Sequence, residues 1–318
     1  MNMVQNAIVF GARGFIGRHV TAVLAADGWH CTGVDRYGRA TDGAGDVGGS
    51  YYRGDDWSPV ALSRYLRDRG PVLVVNAVGA PWSTDPSVVR RDNAVWPCRL
   101  AQACERSGTV TAILHLGSSH EYGDTAPGVP VAESSALAPV TEYGRFKAMG
   151  ASYLVRAAYR TTRPVTVIRA FNVIGPGHGR NGIWATAAGL YRAAVQEGRS
   201  QVVANAPLPE TARDLIDVRD VAALVSLAAR RPGPAVAVYN AASGTATSIR
   251  QLFDAFAGHT GIPYRFARNP TGLRIGSTWQ CADTTRARTY LGWTRRFTLT
   301  DSVGAALALD AAAPATLG

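Results

Sequence analysis

Ala7-Ile8-Val9-Phe10-Gly11-Ala12-Arg13-Gly14-Phe15-Ile16-Gly17 decides how the rest of the chain is read. Four apolar residues without alternation have the texture of a short strand buried on both faces. Three evenly spaced glycines then interrupt the chain. Residues 15–26 follow with Phe15, Ile16, Val20, Val23 and Leu24 at helical spacing. A strand that turns through glycines into a helix brings backbone close to a ligand at the helix N-terminus, where N–H groups attract anions. Asp35 closes the next apolar stretch, 30–35, where a carboxylate can accept ribose hydroxyls. Strand, glycine turn, helix and terminal acid together point to a dinucleotide site.

Outward from this unit the rhythm continues. A Gly-rich loop covers 38–50, 51–53 is a weak strand, 60–69 a helix and 72–78 a fully apolar strand. Helix 94–106, strand 111–116, long helix 143–160 and strand 165–170 come next. Alternating β and α segments predict a doubly wound parallel sheet. After Phe171 the texture changes at Gly175-Pro176-Gly177-His178-Gly179. Helices are expected at 183–197, 218–230, 248–257 and 300–309, a strand at 236–240, and an Ala- and Pro-rich loop at 204–209. The expected architecture is α/β, a Rossmann-type doubly wound parallel sheet with a smaller mixed α/β C-terminal substrate lobe. The sheet domain takes residues 1–172, with 216–240 returning to it, and the lobe takes 173–215 and 241–318.

With 318 residues, 47% hydrophobic and 18% charged, the chain can bury the cores of two such units. It has no 18-residue apolar run and no basic leader ahead of 7–10, so a cytoplasmic protein without a membrane span is expected. A net charge of +10 favours anionic partners. Yet the arginines are dispersed, the densest groups being pairs such as Arg90-Arg91, Arg230-Arg231 and Arg295-Arg296. That argues for a small anionic molecule over nucleic acid. Cys31, Cys98, Cys104 and Cys281 show neither CxxC spacing nor a histidine at ligand spacing, so no metal site is expected and a reducing compartment fits.

Of the 33 basic residues a single one, Lys147, is lysine. It stands four residues after Tyr143, on the same face of helix 143–160. An ammonium there is expected to lower the phenol's pKa from about 10 toward the working pH and to reach a nicotinamide ribose. Arginine would bring a broad planar fork instead of a compact point charge. Ser118 follows strand 111–116 at the carboxyl edge of the sheet, where such folds bind ligands, and can hold a carbonyl oxygen that Tyr143 protonates. The expected catalytic residues are therefore Ser118, Tyr143 and Lys147.

The expected cofactor contacts are Gly11, Arg13, Gly14, Phe15, Ile16, Gly17, Asp35, Arg36, Asp55, Asp56, Ala77, Val78, Gly79 and Asn93, together with Tyr143 and Lys147. Asp35 favours NAD by repelling a 2′-phosphate. Arg13 and Arg36 could hold one, so NADP stays open.

With these motifs the chain resembles the extended short-chain dehydrogenase/reductase family, the NAD-dependent epimerase/dehydratase group, over nearly its whole length. Arg169-Ala170-Phe171-Asn172-Val173-Ile174-Gly175-Pro176-Gly177 resembles the segment whose Asn contacts a nucleotide-sugar diphosphate. Arg213-Asp214-Leu215-Ile216-Asp217-Val218 resembles the phosphate-binding Arg-Asp block, and Arg274 the second diphosphate arginine. Asp283 and Leu291-Gly292-Trp293 match the closing landmarks. Gly117-Ser118-Ser119-His120-Glu121-Tyr122-Gly123 looks closest to GDP-4-keto-6-deoxy-mannose reductases. A 4,6-dehydratase would carry an acidic pair where Ser119-His120 stand.

The resemblance implies a substrate site of Ser118, Ser119, His120, Asn172, Arg213 and Arg274, and a homodimer through a four-helix contact that includes 143–160. The implied reaction is reduction of the 4-keto group of a nucleotide-linked 6-deoxyhexose in deoxysugar biosynthesis. An NDP-sugar 4-epimerase with tightly bound NAD⁺, a ketoreductase on a non-sugar metabolite, and a non-catalytic NAD(P)-binding regulator remain as alternatives. His120 is either a second proton donor or a solvated loop residue.

Overall fold

Residue side chains alternate across β1 (Asn6–Phe10): Ala7 and Val9 enter one apolar layer, Ile8 and Phe10 the other. That two-sided burial is what an apolar run without polar alternation demands. The computed structural model describes residues 5–34, 58–179, 181–206, 208–267 and 278–308. Within them β1 lies between β2 (His30–Val34) and β3 (Val72–Asn76), and β4 (Val110–Ser118), β5 (Val165–Ala170) and β9 (Val236–Ala241) extend the sheet with every pairing parallel.

Helices α1 (Phe15–Ala26) and α7 (Val218–Arg230) cover one face through Val20, Leu24, Val221, Leu224 and Val225. Helices α2 (Pro59–Arg67), α4 (Trp96–Ser107) and α5 (Glu142–Thr161) cover the other through Leu62, Leu66, Leu100 and Leu154, with short α3 (Pro86–Arg90) ahead of α4. The order β2-β1-β3 reverses direction at β1, which opens a crevice at the carboxyl ends of β1 and β3.

Only Phe171 separates β5 from β6 (Asn172–Ile174), where the chain leaves the large sheet. The smaller sheet centres on β8 (Ala212–Asp217). Its first half lies between β10 (Ala246–Ser248) and β12 (Trp279–Gln280), and its second half pairs with β6. A two-stranded pair joins β7 (Val202–Ala204) to β11 (Tyr264–Phe266). α6 (Gly182–Gln196), α8 (Ile249–Thr260) and α10 (Leu299–Ala308) pack Trp184, Tyr191, Phe253, Phe256 and Val303 into a separate core. α9 (Thr285–Leu291) returns to the large-sheet layer through Ala287 and Leu291.

Three sequence expectations shift. The strand expected at 111–116 runs on to Ser118, so that serine is held by sheet pairing to Ala170. The helix expected from 94 starts at Trp96, after a π-helical turn at Arg91–Val95. Pro97 is the cause: it cannot donate to the Asn93 carbonyl and its ring would crowd it, so the turn widens. Residues 213–217, read only as a motif, form a strand. Segments 38–50 and 51–53 lie outside the described residues. Among those described, no helix is long and apolar enough to cross a membrane.

Candidate active site

The crevice at β1 fits an anionic cofactor. Gly11 has φ +80°, and a Cβ there would come 2.9 Å from the Ala77 carbonyl; one on Gly17 would stand 1.9 Å from the Gly11 oxygen. Side chains at either place would prise β1, β3 and α1 apart. Helix α1 begins after Gly14 with no capping side chain and no acid in its first turn. Its N–H groups at Phe15 and Ile16 therefore present the positive end of the helix. Arg13 flanks the turn, half-buried. Asp35, Arg36, Asp55, Asp56 and Arg274 lie outside the described residues.

Beyond β3 the small residues Ala77, Val78 and Gly79 leave space. A Cβ on Gly79 would lie 3.3 Å from Asn93 Oδ1 and 3.5 Å from Lys147 Nζ. Asn93 donates through Nδ2 to the Val89 carbonyl at 2.8 Å, while its buried Oδ1 has no hydrogen-bond partner. A buried acceptor left open beside an ammonium suits a hydroxyl-bearing ligand such as a ribose. Beneath lies His115, fully buried in β4, whose Nδ1 accepts from Asn76 Nδ2 at 3.0 Å. Burial first, and then the Lys147 charge, hold its pKa well below the ordinary value, so the imidazole is neutral.

At the end of β4, Ser118 caps a single 3₁₀ turn, Ser119–Glu121, its Oγ accepting the His120 N–H at 3.2 Å. Thr141 caps α5 by accepting the Gly144 N–H at 3.0 Å. Gly144 lets this helix approach the turn, since a Cβ would come 2.4 Å from the His120 carbonyl oxygen. That approach brings Tyr143 against the turn that Ser118 caps, and the Ser118 hydroxyl acts to lower the phenol's pKa. One helical turn on, Lys147 Nζ donates to the Leu116 carbonyl at 2.6 Å.

The electrostatics correct one expectation. Burial pushes the Tyr143 phenol up to about 12; Glu121 adds to this and only the Ser118 hydrogen bond opposes it. Burial lowers Lys147 to about 8, against the pull of Glu121. Burial therefore governs the phenol, and the ammonium is engaged by the Leu116 carbonyl.

On the substrate side, the His120 ring stands edge-on to Tyr143 with centroids 5.4 Å apart. Burial, then the Arg213 charge, lowers its pKa. Arg213 itself donates to the Ala212 carbonyl at 3.0 Å and feels Asp124. Ser119 is buried, and its carbonyl accepts from Gln280 Nε2 at 3.3 Å. Asn172 Nδ2 ties β6 to the Asp214 carbonyl at 3.1 Å.

Against protein families, the chain matches the model of the NAD dependent epimerase/dehydratase family over residues 7–242. It belongs to that family.

Within this epimerase/dehydratase family, a dTDP-6-deoxy-L-talose 4-dehydrogenase (NAD(P)(+)) of Kitasatospora kifunensis is 33% identical over 302 residues, 93% of this chain and 92% of that protein. A GDP-6-deoxy-D-mannose reductase of Pseudomonas aeruginosa is 28% identical over 317 residues, 96% of this chain and 97% of the other. The crystal structure of Thermus thermophilus UDP-glucose 4-epimerase in complex with NAD superposes with TM-score 0.83 at 21% identity, covering 98% of this chain and 100% of that one. The chain is thus an NAD(P)-dependent enzyme of the extended short-chain dehydrogenase/reductase type, and the expected Rossmann-type sheet is the one observed. Sequence reasoning gave no role to Asn76, His115, Glu121 or Arg169. A histidine inside the apolar run of β4, and a glutamate and an arginine at the ends of buried strands, were the available signals.

Proposed function

We propose that this enzyme reduces the 4-keto group of a nucleotide-linked 6-deoxyhexose. The carrying observation is geometric: Tyr143 and Lys147 share one face of α5, which packs at Gly144 against the turn capped by Ser118, and the open Asn93 Oδ1 and the Lys147 ammonium both border Gly79. Ser118 would donate to the ketone oxygen and hold it against Tyr143. The phenol proton passes to that oxygen as charge builds on it, and the resulting phenolate is stabilised by Lys147. When bound, the nicotinamide supplies the hydride. Gly11, Gly14, Phe15, Ile16 and Gly17 would hold its pyrophosphate, and Ala77, Val78, Gly79, Asn93 and Lys147 the nicotinamide side.

Arg213, Asn172 and Arg274 would clamp the sugar diphosphate, since guanidinium forks match phosphate oxygens. The lobe formed by 173–215 and 241–318 is then the substrate side, with 1–172 and 216–240 carrying the cofactor. Support comes from the 33% identical relative, whose name specifies a 6-deoxysugar 4-dehydrogenase. A cytoplasmic homodimer through a four-helix contact that includes α5 goes with this reading. The outer face of α4 and α5 carries a shallow cavity lined by Cys98, Ala101, Gln102, Tyr153 and Arg156.

The test is to denature fresh protein and identify any released nucleotide by mass spectrometry. An empty site that takes up reduced cofactor and consumes it with an NDP-4-keto-6-deoxyhexose supports the reductase. Stoichiometric NAD⁺, with no net consumption of cofactor, would make the enzyme a 4-epimerase.

A further inference from the structure

Behind Ser118, Tyr143 and Lys147 lies a second polar layer that the reaction as described does not use. Glu121 is fully buried, Arg169 is 7% exposed, and Arg169 Nε donates to Glu121 Oε2 at 3.0 Å. The other carboxylate oxygen accepts the Ser118 N–H at 2.8 Å. Arg169 also donates to Tyr122 Oη at 3.0 Å, and Tyr122 donates to Asn240 Oδ1 at 2.7 Å. The Asn240 N–H in turn donates to Glu133 Oε1 at 2.8 Å. One carboxylate thus links the catalytic serine's main chain to β5 and β9. Gly117 makes the room: a Cβ there would lie 2.6 Å from Glu121 Oε1 and 3.3 Å from Arg169 Cγ. Well-packed apolar residues could fill such a place at no loss of stability, so a buried ion pair there calls for another reason.

We propose that Glu121, clamped by Arg169, is a positioning residue for the proton transfer: it holds the Ser118 backbone from behind and sets a fixed negative charge beside Tyr143 and Lys147, biasing the site toward giving a proton rather than taking one. The inference rests on the reductive reading above. The ionisable groups around the phenol are His120 and Glu121 from the turn, Lys147 on α5 and His115 beneath it in β4. Arg169 in β5 backs Glu121, and Arg213 in β8 backs His120. Glu121 belongs to the turn against which α5 packs at Gly144, and its carboxylate holds the Ser118 N–H. The His120 ring of that turn lies 5.4 Å from the Tyr143 ring, and Lys147 Nζ binds the Leu116 carbonyl two residues before Ser118, so the Glu121 charge faces both groups. It adds to the burial that keeps the proton on the phenol and opposes the burial that strips it from the ammonium. Reduction needs both groups protonated at the start, whereas oxidation of a C4 hydroxyl begins from the phenolate.

The test is an ultraviolet difference titration of the Tyr143 phenol, read against Tyr143→Phe, in NAD⁺-loaded protein without sugar. Glu121→Gln should lower the phenol's midpoint by about one pH unit or more. The alkaline limb of ketosugar reduction should move down with it. Glu121→Gln paired with Arg169→Gln keeps a neutral hydrogen-bonded couple; it should shift the midpoint in the same direction by less, and it decides the matter if the single variant does not fold. An unchanged midpoint in the folded variants, with activity lost at every pH alike, would make Glu121 a structural part only and overturn the proposal. The titration needs no sugar, so a protein that reduces no 4-keto sugar would refute the function and leave this test standing.

Discussion

Lys147 is the only lysine in a chain that writes every other cation of its side chains as arginine, and it is 4% exposed. Its ammonium is lowered to about 8 by burial, against an ordinary value of 10.5. Between those two pH values the unfolded chain binds the proton that the folded protein has released, so the contribution of this one group to folding stability should rise as pH climbs from 8 toward 10.5. Burial raises the thiols of Cys31, Cys104 and Cys281 from 9.0 to between about 11 and about 12, which pulls the other way above pH 9, so the Lys147 contribution, roughly 3 kcal/mol, should appear as the difference in thermal unfolding between the wild type and Lys147→Met. A variant that keeps the same slope would mean that the ammonium is not desolvated. At the neighbouring position, Tyr143→Phe should cost roughly 10²–10⁴ in kcat while calorimetry finds cofactor affinity retained. Both residues were legible from their spacing alone, because four residues bring side chains to one helix face whatever the fold. His115 and Glu121 were not, since their roles come from strands and turns distant in sequence.

At the scale of elements, the active site depends on how closely α5 meets the turn after β4. Gly144 is the contact point, 2.4 Å from the His120 oxygen were it to carry a Cβ. Gly144→Ala should push helix from turn and part Tyr143 from Ser118. A kcat loss of at least about tenfold is expected, with the far-ultraviolet dichroism of the fold preserved. Full activity in Gly144→Ala would show that the helix yields without moving the phenol. The long elements were readable: α1, β5 and α7 begin and end where their apolar periodicity does. The π-helical turn at Arg91–Val95 was not, because it follows from a missing N–H at Pro97 and not from any periodicity. Strands β6, β10 and β12 are two or three residues long, too short to show a period of two.

Across the whole molecule, contacts between the two lobes gather over the crevice. The Phe15 ring meets His178 edge-on at 4.9 Å, His19 Nε2 lies 3.2 Å from the Pro176 carbonyl, and Arg18 donates to the Gly177 carbonyl. On the far side Trp82, 57% exposed, reaches from the loop after β3 so that a Cβ on Gly182 would touch its indole at 3.2 Å. If the substrate lobe holds the sugar as proposed, an indole that bridges from the loop after β3 to the start of α6 would border it. Trp82→Ala should therefore raise KM for the sugar nucleotide several-fold and leave the Kd of the nicotinamide cofactor unchanged. Steady-state kinetics and calorimetry check the two halves, and equal loss of both would place Trp82 in the scaffold instead.

The sequence by itself determined the parallel βα alternation, the glycine turn after β1 and the placing of Tyr143 and Lys147 on one helix face. Those depend on local periodicity and on residue types for which the chemistry admits few substitutes. Tertiary structure alone decided that burial raises the phenol's pKa, that Lys147 faces the Leu116 carbonyl and that a buried ion pair stands behind the serine. Charge states and hydrogen-bond partners depend on burial and on residues brought together from β4, β5 and α5, and no spacing along one segment encodes that meeting.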